Sequence, residues 1–347
     1  MRYLYIILLL HIPFLGLGQI GGNQTYQFLS LNTSARAIAL GGNTIAIDDS
    51  DLNLTYHNPA VLDDKQNTHL TMNYVNYFAD INYGYASFAF PTKHNINLAA
   101  GIKYLDYGEF QEADESGEIT GEFGASEYAL HFIASKQLDT NFRIGLTFKP
   151  ILSHLYEYES LGLAFDAGIM YTDTSGLFTA ALTLKNMGFQ VKPYHPDVRE
   201  ALPFKIQLGA SYKLKNAPFR FIIIGDNLQK PDLTYQSPEY SFHGSPYYDS
   251  DREPASIFEN SIDKIMRHII MGVELSPIDN FFIRAGYNYR RRQELKIDSN
   301  ISTVGFSWGF GFKIHKFYLN YGRSNYHLAG TTNYFSLRTD LGQLFAW

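Results

Sequence analysis

The chain contains no cysteine. That excludes disulfides, thiolate metal sites, a cysteine nucleophile and a lipid anchor carried on cysteine. Charge is scarce as well: 18% of the 347 residues are charged, against roughly a quarter in ordinary soluble domains. A net charge of −6 gives no electrostatic reason to expect nucleic acid as a partner. Beyond the N-terminus, no apolar run approaches the about 20 residues that a helical membrane span requires. Catalytic signatures are missing too. There is no Gly-x-Ser-x-Gly, no Walker or Rossmann glycine pattern and no His-Glu-x-x-His. One Ser-x-x-Lys, Ser261 to Lys264, lacks the companion motifs of penicillin-interacting enzymes. Nothing in the sequence points to an enzyme or to a cofactor.

What the chain does have is aromatic and alternating. Tyr and Phe number 26 each. Residues 1–18 read as a cleaved signal peptide: Arg2, the apolar stretch from Tyr3 and a Gly16-x-Gly18 end, with Gln19 as the first mature residue. The rival reading, a membrane anchor helix, needs a longer run. From Thr68 onward a period of two dominates. In one segment Phe204, Ile206, Leu208, Ala210 and Tyr212 alternate with Lys205, Gln207, Gly209, Ser211 and Lys213. In another, Phe306, Trp308, Phe310 and Phe312 alternate with Ser307, Gly309 and Gly311. Such alternation sends neighbours to opposite faces of a sheet, one greasy and one polar or small.

About fourteen strands follow from this pattern. They are expected near 68–78, 82–90, 95–107, 123–137, 141–156, 161–172, 176–189, 202–214, 218–228, 267–276, 280–292, 301–314, 316–324 and 331–341. Short connections alternate with long ones, the arrangement of periplasmic turns and extracellular loops in bacterial outer-membrane barrels. A secreted sandwich or propeller gives no reason for that phase. Lipid excludes unpaired backbone, so the sheet is expected to close. The mean hydropathy of −0.18 is compatible, because polar lumen residues offset lipid-facing ones. The expected fold class is thus all-β: a transmembrane outer-membrane β-barrel spanning 68–347, exported by the signal peptide and contacting outer-membrane lipid.

Three features stand outside the barrel pattern. The longest loop, 229–266, is rich in Pro and Tyr and reads as an extracellular recognition surface. Within it Ile257, Phe258, Ile262, Ile265 and Met266 have near-helical spacing, for a short helix that caps the barrel, meets a partner or packs on the rim. Arg290, Arg291 and Arg292 head another predicted surface loop. They are candidates for clamping lipopolysaccharide phosphates; the alternative is a solvated loop end balanced by Glu294. The third feature is residues 19–67, which do not alternate and precede the first strand. They could lie inside the lumen, sit below it or pair with a partner. The acidic run Asp48, Asp49 and Asp51 does not follow a calcium-loop pattern, so no metal site is expected there.

The segment Ser34–Leu62, "SARAIALGGNTIAIDDSDLNLTYHNPAVL", resembles the N-terminal signature of the FadL-like outer-membrane barrels. The matching positions are Ala35, Arg36, Ala37, Gly41, Gly42, Asp48, Asp49, Asn58, Pro59 and Ala60. The resemblance implies that 19–67 is a hatch folded into a fourteen-stranded barrel. Within that superfamily the chain is most similar to the PorQ-type branch, relatives of PorV in the type IX secretion system of Bacteroidetes. Its Ala-Leu-Gly-Gly form of the hatch, its length and "LTLKNMGF" (Leu182 to Phe189) carry that likeness. The branch implies a non-enzymatic component of the surface attachment complex, holding a PorZ-like partner alongside PorU and PorV. That complex links cargo to anionic lipopolysaccharide. The alternative, inherited from the wider superfamily, is a FadL-like transporter of hydrophobic small molecules with the hatch as its gate.

Overall fold

In a computed structural model, described for residues 24–77, 81–92, 95–234, 257–295, 303–327 and 330–345, the chain closes into an antiparallel barrel of fourteen strands. They are β1 (His69–Asn76), β2 (Asn82–Phe90), β3 (Asn97–Ala113), β4 (Ile119–Gln137), β5 (Phe142–Leu155), β6 (Tyr158–Thr172), β7 (Phe178–Lys192), β8 (Lys205–Lys213), β9 (Phe219–Gly225), β10 (Ile269–Ile278), β11 (Phe281–Asn288), β12 (Phe306–Ile314), β13 (Phe317–His327) and β14 (Gly330–Asp340). Each pairs with its sequence neighbours. The ring is sealed where β1 meets β14, His69 opposite Asp340 and Asn76 opposite Asn333. The expected signal peptide, most of the long loop and Trp347 lie outside the described residues.

Alternation decides which face is which. Met72, Leu130, Phe132, Leu146, Trp308 and Phe335 are exposed on the outer face. Thr71, His131, Thr147, Ser307, Ser336 and Arg338 are buried on the inner one. A greasy belt outside and a polar wall inside is the arrangement of a membrane barrel. No helix among the described residues is long and apolar enough to cross a membrane. The short turns, the start of β1 and the end of β14 share one end, the periplasmic end of such barrels.

Two expectations about connections need correction. The acidic stretch after residue 107, expected to be a loop, is a continuous ladder: β3 and β4 run for 17 and 19 residues. A bulge at Asp106/Glu109, with Gly108 at φ 81, absorbs one extra residue and lets the pairing continue to Ala113. Composition suggested a loop, but cross-strand hydrogen bonds do not depend on side-chain charge. The strand expected over 280–292 stops at Asn288. There the Asn288 side chain accepts from Arg291 N at 3.0 Å and opens a helix, Tyr289–Leu295, a capping geometry that ends a strand. Arg290–Arg292 therefore lie on a helix rather than at a strand end.

Candidate functional site

The buried core of the molecule is the space enclosed by the wall, and the N-terminal segment fills it. The helix Ala35–Ala39 lies on β11–β14, the turn Pro59–Val61 on β4–β6, and the turn Leu52–Tyr56 on β1 and β2. A segment that touches strands around the circumference of a closed barrel lies within it. Leu40, Ile45, Ile47, Leu54, Val61 and Leu62 have no solvent exposure. Local caps explain its irregular path. Ser34 caps the helix, Asp51 caps 52–56, and Asn58 caps 59–61 with Pro59 at the first helical position. Asn58 also donates to Ile45 O at 2.8 Å. Gly41 and Gly42 have φ of 105 and 122, a conformation that strains any side chain, and they turn the chain out of the helix.

The wall is shaped to this segment by glycine. A Cβ on Gly286 would lie 2.1 Å from Gly41 N, one on Gly145 2.3 Å from Pro59 C, and one on Gly322 2.3 Å from Ala35 O. Gly168 and Gly162 leave similar room for Asn58 and Tyr26. The inner segment's backbone thus rests directly on the strands, where close approach requires the absence of a Cβ.

Toward the periplasmic end, Arg36 forms a charged floor. All five of its N–H groups are used: Nε and Nη2 on Glu274 (3.0 and 2.9 Å), Nη1 and Nη2 on Asp49 (3.0 and 2.6 Å), and Nη1 on Asp51 (3.0 Å). Arg220 bonds Asp49 and Glu274, Arg284 bonds Glu274, and Arg338 reaches Asp51. Burial raises the Asp49 carboxyl, but Arg36 and Arg220 outweigh it and hold it well below the usual carboxylate range. Asp51 is likewise raised by burial and lowered further by Arg338 and Arg36. Asp48 pairs with Arg143 at 3.2 Å and accepts from Thr172 at 2.9 Å. Every member of the acidic run is thus matched by guanidinium. A cavity of about 560 Å³ exposes this floor between the β8–β9 and β10–β11 turns.

Higher in the lumen, Tyr56 sits between two wall lysines. Lys103 and Lys185 lie 4.7 and 4.6 Å from its ring centroid. Lys103 Nζ donates to Tyr56 OH and Leu31 O, both at 2.6 Å, and Lys185 Nζ to Tyr56 O at 3.0 Å. Cation–π contacts and carbonyl bonds together hold the segment. Lys149 pairs with Asp166 at 2.6 Å. These wall lysines and Glu274 were not singled out in the sequence. The available signal was a charged residue in mid-strand on the polar parity, which in a barrel points at whatever fills the lumen.

At the extracellular mouth, the three arginines diverge. Arg290 pairs with Glu294 at 3.0 Å. Arg291 turns inward, donating to Ser324 Oγ at 2.6 Å, and its Nη2 lies 3.1 Å from where a Cβ on Gly42 would stand. Arg292 packs against Gly305. Arg291 thus joins the hatch-motif residues rather than a lipid-facing rim. Of the aromatics at strand ends, Tyr74 is exposed at the lipid face. Tyr77 packs inward on Tyr83, and Tyr289 donates to Asp263 at 2.9 Å.

No known protein family matches the chain, and no curated protein matches it. Solved structures do. A deltaS2 mutant of the TodX monoaromatic hydrocarbon channel is 11% identical over 89% of this chain and 97% of its own, with a TM-score of 0.51. The Pseudomonas putida toluene transporter TodX (9%, 89% and 96%, TM-score 0.49) and a Pseudomonas aeruginosa FadL homologue (12%, 89% and 98%, TM-score 0.46) also match. At such identity the likeness is one of fold alone: a closed barrel like that of the hydrocarbon channel.

Proposed function

We propose that this chain is a non-enzymatic outer-membrane platform, its lumen permanently filled by residues 24–67 and its extracellular strands and loops holding a surface partner. The glycine-seated backbone contact around the inner wall carries this reading. A gate that swings needs a second resting place, and a segment seated on glycines with its ionic groups paired loses both on leaving. The sequence resemblance to PorQ-type proteins supplies the finer reading. In it the platform belongs to a type IX secretion attachment complex and anchors a PorZ-like protein near PorU and PorV, where cargo is joined to anionic lipopolysaccharide.

The second reading is a transporter of hydrophobic small molecules, favoured by the fold likeness to a hydrocarbon channel. It requires the inner segment to move. The absence of native cysteine makes this testable. A Cβ on Gly209 would lie 2.8 Å from Ile45 Cγ1, so cysteines at Ile45 and Gly209 are within bonding reach. Oxidising the double variant fixes the segment to the wall. A platform keeps its surface partner, read by co-purification from solubilised outer membrane with mass spectrometry. A transporter loses uptake of toluene or long-chain fatty acid, and that loss with normal protein secretion would refute the platform.

A further inference from the structure

The barrel is not level at its extracellular end. From Tyr104, the last outward aromatic before Asp106, β3 continues to Ala113 and β4 returns from Ile119. This arm carries about 30 Å of strand beyond the greasy belt. Its tip is rigid. Asp114 Oδ1 accepts from the N–H groups of Ser116 and Glu118 and from Ser116 Oγ, and Gly117 takes φ 84.

The bulge after Asp106 changes the parity of β3, so Phe110, opposite Phe123, lies on the face that continues the inner wall. There Phe110 stacks on Phe123 at 5.3 Å, and Tyr156 meets Phe123 edge-on at 4.7 Å. Phe110 and Tyr156 are nonetheless 41% and 38% exposed. An aromatic sheet face in water, above the membrane, is without a partner in the chain's described residues.

Charge names the occupant. Between Asp106 and Glu122 every acidic or basic side chain is a carboxylate, and the nearest cations in sequence are Lys103 and Lys136. Lys103 is buried in the lumen, and Lys136 stands at the far, periplasmic end of β4. Farther round the barrel, Lys192 of β7 is matched by Glu159 of β6 at 3.0 Å. An anionic outer leaflet repels such an arm and keeps it clear of the lipid surface.

We infer that the concave face of the β3–β4 arm docks a basic, arginine-bearing segment of a partner protein. Guanidinium groups stack on Phe110, Phe123 and Tyr156, while Glu115, Glu118 and Glu112, whose Oε1 already accepts from Tyr156 OH at 2.9 Å, pair with them. This deepens the platform reading and rests on it.

The test uses the full chain in detergent micelles and three labelled nonapeptides, of arginine, lysine and glutamate, read by fluorescence anisotropy. Nona-arginine binds, tighter than nona-lysine by about threefold because only guanidinium stacks flat on the rings. Nona-glutamate does not bind. E112Q/E115Q/E118Q and, separately, F110S/F123S/Y156S each weaken nona-arginine by at least about tenfold, with heat-modifiable gel mobility unchanged. Equal affinity in either variant overturns the assignment, since binding is then generic attraction to an acidic protein. So does binding that appears only with calcium and lipopolysaccharide vesicles, which would make the arm a lipid bridge. If the arm variants retain the native surface partner while deletion of 232–260 releases it, the platform stands and the arm assignment falls.

Discussion

Removing Arg36 should unseat the inner segment without unfolding the wall. Replacement by Met keeps length and deletes five hydrogen bonds to three carboxylates. Breaking a buried ion pair by losing one partner costs about 3–5 kcal/mol. Here the loss is smaller, because Arg220, Arg284 and Arg338 remain on Asp49, Glu274 and Asp51; about 2–4 kcal/mol is the reasoned range. At 1.4 kcal/mol per tenfold, the segment opens roughly 30- to 700-fold more often. Thr44 offers a clean reporter: it is buried and its hydroxyl has no partner among the described residues. Thr44→Cys is the chain's single thiol, and its maleimide labelling rate in native outer-membrane vesicles follows opening. Arg36→Met accelerates labelling within that range, and Arg36→Lys gives an intermediate rate, since an ammonium meets fewer of the acceptors. A rate unchanged in Arg36→Met would show that the ionic floor does not hold the segment, and the reasoning fails.

The same thiol checks two further expectations, and vesicle insertion a third. Gly286→Val and Gly145→Val drive a side chain into backbone 2.1–2.3 Å away and accelerate labelling more than Gly117→Val, whose surroundings are open; equal rates would refute the glycine seats. Asp49 and Asp51 have folded pKa values below their unfolded ones. Their stabilisation is therefore full above the unfolded value of about 4 and is lost as pH falls through the lower folded values. Divided at each pH by the rate of an exposed Ser116→Cys control, which removes the thiolate's own pH dependence, labelling rises in acid below about pH 4 and stays flat from there to neutrality, and the acid rise shrinks in D49N/D51N. Leu146, 63% exposed on the belt, becomes a lipid probe: Leu146→Arg costs about 2–4 kcal/mol of bilayer stability and lowers insertion into vesicles, with Lys213→Arg as the neutral control.

The wall was legible in the sequence because its code is local. Alternation such as Leu208–Gly209–Ala210–Ser211–Tyr212 states strand, facing and lipid contact within five residues. The acidic arm escaped because Glu109, Glu112, Asp114 and Glu115 read as solvated loop, while the pairing that makes them strand lies in another segment, Ile119–Gly124. The inner segment escaped for a related reason. Its shape is set by single caps at Ser34, Asp51 and Asn58 and by partners 83 to 301 residues away, such as Ala60 with Arg143 and Ala35 with Ser336. No periodicity records contacts of that kind.

The acidic run explains why the hatch motif has its composition. Asp48, Asp49 and Asp51 enter a lumen whose wall offers Arg143, Arg220 and Arg338, so the wall is cationic where the segment is anionic. The buried cation of the segment, Arg36, meets a buried acidic wall residue of that floor, Glu274. Each charge would be costly alone in a dry interior, and together they fix register as well as attraction. Sliding the segment by one residue would pull Arg36 away from Glu274, leaving that carboxylate to Arg220 and Arg284 alone, and press Ala35 and Leu40 onto strand positions that lack glycine. The segment is therefore specified by shape and by charge at the same positions. That redundancy is what a permanent seat requires, whereas a gate must keep one of the two weak enough to yield.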